Sequence, residues 1–179
     1  MLTQTELKSH LHYCQDAGIF TRIKSGSGVK VGNVAGSKDL DGYLRISVNN
    51  KTYKAHRLAW LYVHGEFPVN DIDHINCIRD DNRIANLRNA TRQQNNLNVC
   101  KLKNNTSGYK GVSFSKANNK WRAQAQLNGE TKHLGYFKTP KLASETYQAF
   151  SIKNHGDFCN LGDCTSKLSN RATSYAECS

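Results

Sequence analysis

A short polar stretch in the middle of the chain constrains the fold most strongly. Residues 69–96 hold two brief apolar alternations, a polar loop and a helix start in fewer than thirty positions. The first alternation predicts a strand that ends at Asp73-His74, and the second predicts a strand over residues 87–90. Thr91 is a typical N-cap residue, so a helix is expected after it. This arrangement must be compact, and the end of its first strand can meet the face of its helix.

Charge and composition narrow the class of protein. The 179 residues carry 25 Lys and Arg against 14 Asp and Glu, a formal charge of +11. No apolar run reaches the roughly 18 residues of a membrane span, and the N-terminus lacks the apolar segment of a signal peptide. We therefore expect a cytoplasmic protein with no membrane partner. The charge favours a polyanionic partner because Lys and Arg release counterions from phosphates, although a basic chain can also serve solubility alone.

The charge is unevenly distributed along the chain. Residues 101–160 carry a net +7 and residues 1–55 a net +4, whereas residues 56–100 are neutral because five of the fourteen acids fall there. A chain that only coated nucleic acid would have little reason to group acids in its middle. The grouping indicates a metal site.

The six cysteines do not have the C-x-x-C spacing of a zinc knuckle. The expected compartment is reducing, so we expect free thiols. Neither a disulfide framework nor a structural zinc site is predicted.

Local patterns predict the elements that precede the central stretch. Thr3 and Glu6 have the spacing of a capping box, and Leu7 and Leu11 repeat at helical spacing. Together they predict a short opening helix that ends by Gly18. Residues 42–54 alternate around an Asn-Asn pair and predict a hairpin. Residues 55–64 have helical apolar spacing and are followed by a glycine, which predicts a helix.

The central stretch carries the residues with chemistry. Asp73 supplies an anionic oxygen and Asn95 a neutral carbonyl oxygen. A few oxygen ligands suit Mg²⁺, which keeps several waters and accepts phosphate oxygens as its other ligands. His74 supplies an imidazole, which can take a proton from water near neutral pH.

These residues resemble the HNH (His-Asn-His, ββα-metal) endonuclease family, in particular its phage and intron-encoded homing type. The resemblance covers about 45 residues, and its ordered spacing makes it more specific than an Asp-His pair alone. The matching segments are, in order, His56-Arg57-Leu58, Asp73-His74-Ile75-Asn76, Asp81-Asn82-Arg83-Ile84-Ala85-Asn86-Leu87-Arg88 and Gln94-Asn95.

The resemblance implies a role for each matching residue. His74 falls on the general base that activates water, and Asp73 and Asn95 fall on the ligands of one divalent metal, Mg²⁺ or Mn²⁺. Asn86 falls on the asparagine that braces the loop and orients the base. Many members have His where this chain has Asn95, so the chain resembles the subgroup with asparagine there.

Three further residues of this stretch have two interpretations each. Arg83 and Arg88 are candidates for holding neighbouring phosphates, since a planar guanidinium matches the shape of a phosphate, but both also fit solvated surface charge. His56 is a candidate for supporting the site, and it equally fits a structural role in its helix.

The third segment predicts a small sheet and one helix. Strands are expected over 108–114, 120–127 and 132–137, with Asn128-Gly129 as a hairpin turn. A helix is expected from Thr139-Pro140 to about residue 155. Its expected apolar stripe consists of Leu142, Ala143, Thr146, Tyr147 and Phe150.

This segment resembles the three-stranded DNA-binding domain of plant APETALA and ethylene-response factors, which also occurs in phage HNH nucleases. The shared sequence motifs are Gly-Tyr-Lys-Gly-Val, Lys-Trp-Arg-Ala-Gln and Leu-Gly-Tyr-Phe. The strand over 120–127 alternates between a small apolar face and a polar face that suits the major groove. By this resemblance the residues that face DNA are Lys110, Arg122, Gln124, Gln126 and His133.

The sequence thus predicts an α+β protein. Its ββα-metal nuclease core is preceded by a small strand-rich segment and followed by a three-stranded antiparallel sheet packed on one helix. The expected bounds are 1–55 for the N-terminal segment, 56–100 for the core, 101–107 for a linker, 108–161 for the DNA-binding domain and 162–179 for a flexible tail.

The expected function is metal-dependent hydrolysis of DNA in a phage-infected bacterial host. One metal site cuts one strand, so a monomer or weak dimer that nicks double-stranded DNA is expected, with no small-molecule substrate. One alternative is a non-catalytic DNA-binding regulator on a nuclease-derived fold. A second is a protein that binds or cleaves RNA.

Overall fold

A computed structural model describes residues 1–25, 28, 30–101 and 104–162. The described residues form two compact units, one over residues 1–90 and one from residue 91 onward. The mixed α+β class with antiparallel sheets and few helices is confirmed. The domain bounds expected from the sequence stay a prediction.

The first unit contains two helices and three small antiparallel sheets. The sheets pair β1 with β2, β3 with β4 and β5, and β6 with β7. The elements are α1 (Gln4–His10), β1 (Leu11–Cys14), β2 (Ile19–Arg22), β3 (Ser37–Lys38), β4 (Leu44–Val48), β5 (Lys51–Lys54), α2 (Ala55–His64), β6 (Asp71–His74) and β7 (Leu87–Ala90).

The opening helix is shorter than its sequence pattern predicts. The capping box is present, since the Thr3 hydroxyl accepts from the Glu6 amide and the Glu6 carboxylate accepts from the Thr3 amide. Leu11 is fully buried but belongs to β1, so its spacing from Leu7 reflects a shared core rather than a continuing helix. The predicted helix end near Gly18 is instead the turn between β1 and β2.

The hairpin and the second helix form as predicted. Asn49 and Asn50 have φ of 50° and 59°, the left-handed values that a two-residue hairpin turn between β4 and β5 needs. Helix α2 begins directly after β5 and ends at Gly65, which has a φ of 85°. No loop therefore separates β5 from α2.

One hydrophobic core joins the elements of the first unit. It includes residues from both sides of the expected boundary at residue 55, so the N-terminal segment packs directly on the segment with the Asp-His pair. Fully burying one such aliphatic or aromatic side chain contributes about 1.5–3 kcal/mol. The most deeply buried members include Leu7, Leu11, Phe20, Ile46, Leu58 and Leu61.

The second unit contains a three-stranded antiparallel sheet and the helix that packs on it, as predicted. The sheet order is β8-β9-β10, and Asn128 and Gly129 form the turn between β9 and β10 with φ of 53° and 83°. The elements are α3 (Arg92–Leu97), β8 (Val112–Ser115), β9 (Lys120–Leu127), β10 (Glu130–Phe137) and α4 (Pro140–His155).

The core of the second unit is made from small side chains. Val112, Ala123 and Ala143 are buried where α4 crosses the sheet. The first strand begins at Val112 rather than at residue 108, since residues 108–111 form turns. A Cβ at Gly111 would overlap the ring of Tyr147, so only glycine allows this close packing.

Three expectations about the chain are corrected or fall outside the described residues. The stripe on α4 is wrong at Leu142, which is 48% exposed; the helix buries Ala143, Ser144, Tyr147 and Ser151. The thiol expectation is wrong for Cys14 and for Cys100, each of which is in a disulfide bond, because sequence spacing does not show which cysteines meet in space. The predicted tail lies outside the described residues after position 162, as do residues 102 and 103 of the predicted linker.

None of the helices within the described ranges is long and apolar enough to cross a membrane.

Candidate active site

Asp73 and His74 are the last two residues of β6. The ladder between β6 and β7 places Asp73 opposite Arg88 and His74 opposite Leu87. Both side chains are buried, with 4% and 5% of their surface exposed. The strand end therefore brings a carboxylate and an imidazole into the interior of the first unit, at the start of the loop over residues 75–83.

The Asp73 carboxylate is ion-paired with Arg88. The Arg88 Nε lies 2.8 Å and its Nη2 lies 2.7 Å from the same oxygen, Asp73 Oδ2. The two side chains are only 5% and 16% exposed, so solvent screens the pair weakly. Arg88 is thus paired with Asp73. The sequence suggested a phosphate contact or solvated surface charge for this arginine, and neither includes such a pair.

The His74 ring is held by Asn82. Its Nε2 lies 3.4 Å from Asn82 Oδ1. Burial lowers the pKa of His74, although the Asn82 bond and the charge of Asp73 act in the opposite direction. The Tyr13 hydroxyl donates to the Asn82 backbone carbonyl at 2.5 Å. The imidazole is therefore neutral near pH 7 and fixed by a residue to which sequence reasoning gave no separate role.

Asn86 ties together the two sides of the loop. Its side-chain oxygen accepts from the Asn76 amide at 3.0 Å, and its side-chain nitrogen donates to the Asp81 carbonyl at 2.8 Å. Asn76 in turn donates from its side chain to Asp81 Oδ2 at 2.6 Å. Both of these Asn86 bonds are to the backbone of the loop, and its role in orienting the base stays a prediction.

Arg83 forms a second internal ion pair. Its Nε and Nη2 lie 2.8 and 2.6 Å from the two carboxylate oxygens of Asp81. Burial alone would raise the pKa of Asp81, but the bonds from Arg83 and Asn76 hold that pKa below its usual value. Arg83 is therefore paired with an aspartate of the same loop, and its contact with a phosphate stays a prediction.

His56 packs against His74 from the start of α2. The two ring centroids are 5.0 Å apart and nearly perpendicular. Burial, with a contribution from His74, lowers the pKa of His56 to about 3. The His56 Nδ1 is buried and has no hydrogen-bond partner among the described residues. His56 is thus a buried neutral ring in contact with His74, and its support of the site stays a prediction.

Asp73 is a candidate ligand for a metal ion. In the described part of the chain no three His, Cys, Asp or Glu side chains cluster as metal ligands. Asp73 supplies a buried carboxylate, and a carboxylate has capacity for further partners beside one guanidinium. Asn95 lies on α3 in the second unit, so its pairing with Asp73 stays a prediction.

The polar face of β9 lies in the second unit. The ladders place Arg122 between Ser113 and Tyr136, and Gln124 opposite His133. Arg122 Nη2 lies 3.3 Å from the Ser113 hydroxyl, while its Nε is buried with no partner among the residues described. The predicted face of Arg122, Gln124, Gln126 and His133 is thus continuous across two strands.

Three predicted DNA-facing residues have partners within the second unit or line a cavity there. The Lys110 ammonium donates to the carbonyls of Leu97 and Asn160 at 2.8 and 3.0 Å, so its charge is used inside the second unit. Gln124, together with Gln126, lines a cavity of about 620 Å³. The DNA contacts of these residues stay predictions.

Comparisons with known proteins point to one family. A family model described as HNH endonuclease matches residues 53–97, the segment that contains α2, β6, β7 and α3. The chain is 35% identical over 81 residues to Protein 3.8 of Escherichia phage T7, a match covering 45% of this chain and 67% of that protein. It is 32% identical over 105 residues to the uncharacterized HNH endonuclease L560 of Acanthamoeba polyphaga mimivirus, covering 58% and 54%.

A comparison with solved structures finds the structure titled "DNA binding and cleavage by the HNH homing endonuclease I-HmuI". The match has a TM-score of 0.40 and 21% identity, and covers 82% of this chain and 85% of that one. The likeness to a family rests on the sequence matches instead. The segment that holds Asp73 and His74 is similar to the HNH endonuclease family.

Proposed function

We propose that the protein is a DNA endonuclease that hydrolyses phosphodiester bonds with His74 as general base and one divalent metal. The observation that carries the proposal is the buried Asp73-His74 pair at the end of β6, inside the segment that matches the HNH endonuclease family. A carboxylate that can hold a metal and an imidazole that can accept a proton are the two groups that this hydrolysis needs.

His74 is suited to accept the proton of the attacking water. Burial lowers the pKa of His74, so the imidazole is neutral and can accept a proton near pH 7. An Nε2–H that donates to Asn82 Oδ1 leaves Nδ1 as the basic nitrogen of the ring. His56 packs on the ring and Asn82 bonds to it, so both act as positioning residues for the base.

Asp73 and Asn95 would hold the metal. HNH nucleases generally use a divalent metal, and this oxygen donor set suits Mg²⁺ or Mn²⁺. When bound, the ion would polarise the phosphoryl oxygen and stabilise the leaving 3′ oxygen. Arg88 keeps the Asp73 carboxylate in place beside His74.

Double-stranded DNA is the proposed substrate. The match to the HNH endonuclease family supports a nucleic-acid substrate, and the net charge of +11 favours a polyanion. The polar face of β9 would add base contacts, since Arg reads guanine and Gln reads adenine in the major groove. We place this activity in the cytoplasm of an infected bacterium, which a relative from an Escherichia phage supports.

A plasmid assay tests the proposal. Supercoiled DNA is incubated with the protein and Mg²⁺ or Mn²⁺, and conversion to the relaxed form is measured for the wild type, H74A and D73N. We expect relaxation by the wild type, near-total loss in both variants and full activity in H12A, which removes an exposed histidine of the same unit. Cleavage that survives in H74A would remove the general-base assignment.

The same assay separates the alternatives. A non-catalytic regulator would bind DNA without cleaving it under any metal condition. An RNA-directed enzyme would cleave an RNA of the same sequence faster than the duplex. Either result would replace the proposed function.

A further inference from the structure

The ring of Tyr43 links two cationic side chains to the candidate base. Its centroid lies 5.9 Å from the His74 ring and 5.4 Å from the His56 ring. On the same ring, the Lys54 ammonium lies 4.1 Å and the Arg79 guanidinium carbon 5.1 Å from the centroid. Both cations therefore lie on the ring that packs beside the candidate base.

A turn organised by Asp39 sets the position of Tyr43. The Tyr43 amide donates to Asp39 Oδ1 at 2.9 Å, and the Asp39 amide donates to the Tyr43 carbonyl at 2.8 Å. The Arg79 Nη1 donates to the carbonyl of Asp41 in the same turn at 2.7 Å. The turn is thereby joined to the loop that follows His74, and the ring and both cations are held in one arrangement.

The two cations lack the carboxylate partners that the arginines at the site have. Arg88 pairs with Asp73 and Arg83 with Asp81, whereas within the described residues no salt bridge is formed by Lys54 or Arg79. Lys54 is half-buried and Arg79 is exposed. Lys54 and Arg79 are thus held in place without a carboxylate partner. Such positive charges favour an anionic ligand, and the proposed base nearby acts on a phosphodiester.

We propose that Lys54 and Arg79 bind the DNA backbone phosphate next to the scissile bond, and that Tyr43 is the residue that positions them. The proposal rests on the proposed function, because His74 marks where the scissile bond lies. An Arg whose guanidinium lies over an aromatic ring still directs the N–H donors of its edge toward a phosphate, and the ammonium adds a compact charge. The ring contact restricts both side chains, so less freedom is lost when the phosphate binds.

Salt-dependent binding measures these phosphate contacts directly. The affinity of the full chain for a labelled DNA duplex is measured over a series of KCl concentrations, in EDTA so that no cleavage occurs. We expect the slope of log affinity against log salt to fall by about 1 for K54Q, by about 1 for R79Q and by about 2 for the double variant. K51Q, which removes an exposed lysine of the same strand, is the control and keeps most of the wild-type slope.

Two substitutions of Tyr43 test its positioning role. Y43F keeps the ring and should retain the wild-type slope, whereas Y43L removes the ring and should lower the slope as the double variant does. If Tyr43 has only a structural role, Y43L lowers the melting temperature and leaves the slope unchanged.

The outcomes separate this proposal from the proposed function. A wild-type slope in the K54Q/R79Q double variant would overturn the phosphate contact, even if the enzyme cleaves DNA. A reduced slope in a protein that never cleaves would uphold the contact and end the proposed function.

Discussion

Arg88 and Asp73 are direct neighbours across the ladder between β6 and β7, and two nitrogens of the guanidinium contact one oxygen of the carboxylate. The pair is largely buried. A buried carboxylate without a partner would lose its hydration and gain nothing in return. The register between β6 and β7 thus allows the negative charge of Asp73 to lie next to His74 in the interior.

Substituting Arg88 should destabilise the first unit strongly. R88A removes the guanidinium that pairs with the buried Asp73 carboxylate, which costs about 3–5 kcal/mol of unfolding free energy. R88K keeps the charge but loses the planar fork, so we expect an intermediate loss. The measurement is urea unfolding followed by Trp60 fluorescence in a W121F background, because Trp60 lies in the first unit and Trp121 in the second.

An exposed ion pair provides the control for this prediction. Arg45 contacts Asp39 at 2.8 Å, but its side chain is 51% exposed. Solvent screens such a pair, so R45A should cost much less than R88A. Equal losses in the two variants would show that the Arg88 pair contributes no more than a surface contact.

Features that depend on neighbouring residues in the chain were predictable from the sequence. The capping boxes at Thr3 and Thr91, the Asn49-Asn50 turn and the end of α2 at Gly65 were predictable, because each depends on residues close in the chain. Their patterns act through backbone geometry alone.

The partners of the charged residues at the site were not predictable in this way. Arginine is a residue type that often binds phosphate, so the sequence suggested that role for Arg88 and Arg83. Only the strand register and the fold of the loop show that each is paired with an aspartate. Tyr43 gave no signal, since an aromatic residue before an alternating strand is more often part of a core. Asn82 lies inside the matching motif, where its bond to His74 could have been expected.

A methyl group at Gly18 should disturb the candidate site from a distance. A Cβ there would overlap the Arg83 amide nitrogen and lie 2.7 Å from the Asn82 carbonyl carbon. These are backbone atoms that cannot rotate away, so G18A should shift the segment that holds His74. We expect slower DNA cleavage and lower stability, measured by single-turnover relaxation of plasmid and by thermal unfolding.

Gly32 separates the clash from backbone strain. It also has a left-handed φ, of 85°, but no atom lies within 4 Å of the position that a Cβ would take there. G32A therefore adds only the strain of that conformation, about 1–3 kcal/mol, and should leave cleavage unchanged. A similar loss of cleavage in both variants would argue against a specific contact between Gly18 and the loop.

The stability of the first unit should fall as the pH falls below about 6.5, partly because of His56. Its pKa drops from 6.5 to about 3 on folding, because of burial and the charges of His74, Lys54 and Arg57. Between these pH values the unfolded chain binds a proton that the folded chain does not. The contribution of one such group is about 1.4 kcal/mol per pH unit.

H56F removes this proton and keeps an aromatic ring beside Tyr43. We expect its unfolding free energy to depend less steeply on pH between about 4 and 6.5, by up to one proton. His74 retains part of the slope, since burial lowers its pKa as well. The measurement is urea unfolding at several pH values in EDTA, again in the W121F background, and an unchanged slope would contradict a neutral buried His56.

Gln124 should contribute to the DNA sequence that the protein prefers. It lies in the centre of β9, and its side chain forms no hydrogen bond within the described residues, whereas the amide of Gln126 donates to Thr131 Oγ1 at 2.8 Å. A free amide can bond to adenine in the major groove, and losing such a contact costs about 1–3 kcal/mol of discrimination at one base pair. Duplexes selected from a random library should therefore lose preference at one position with Q124A and change less with Q126A. A uniform loss of affinity across all sequences with Q124A would instead indicate a contact with the DNA backbone.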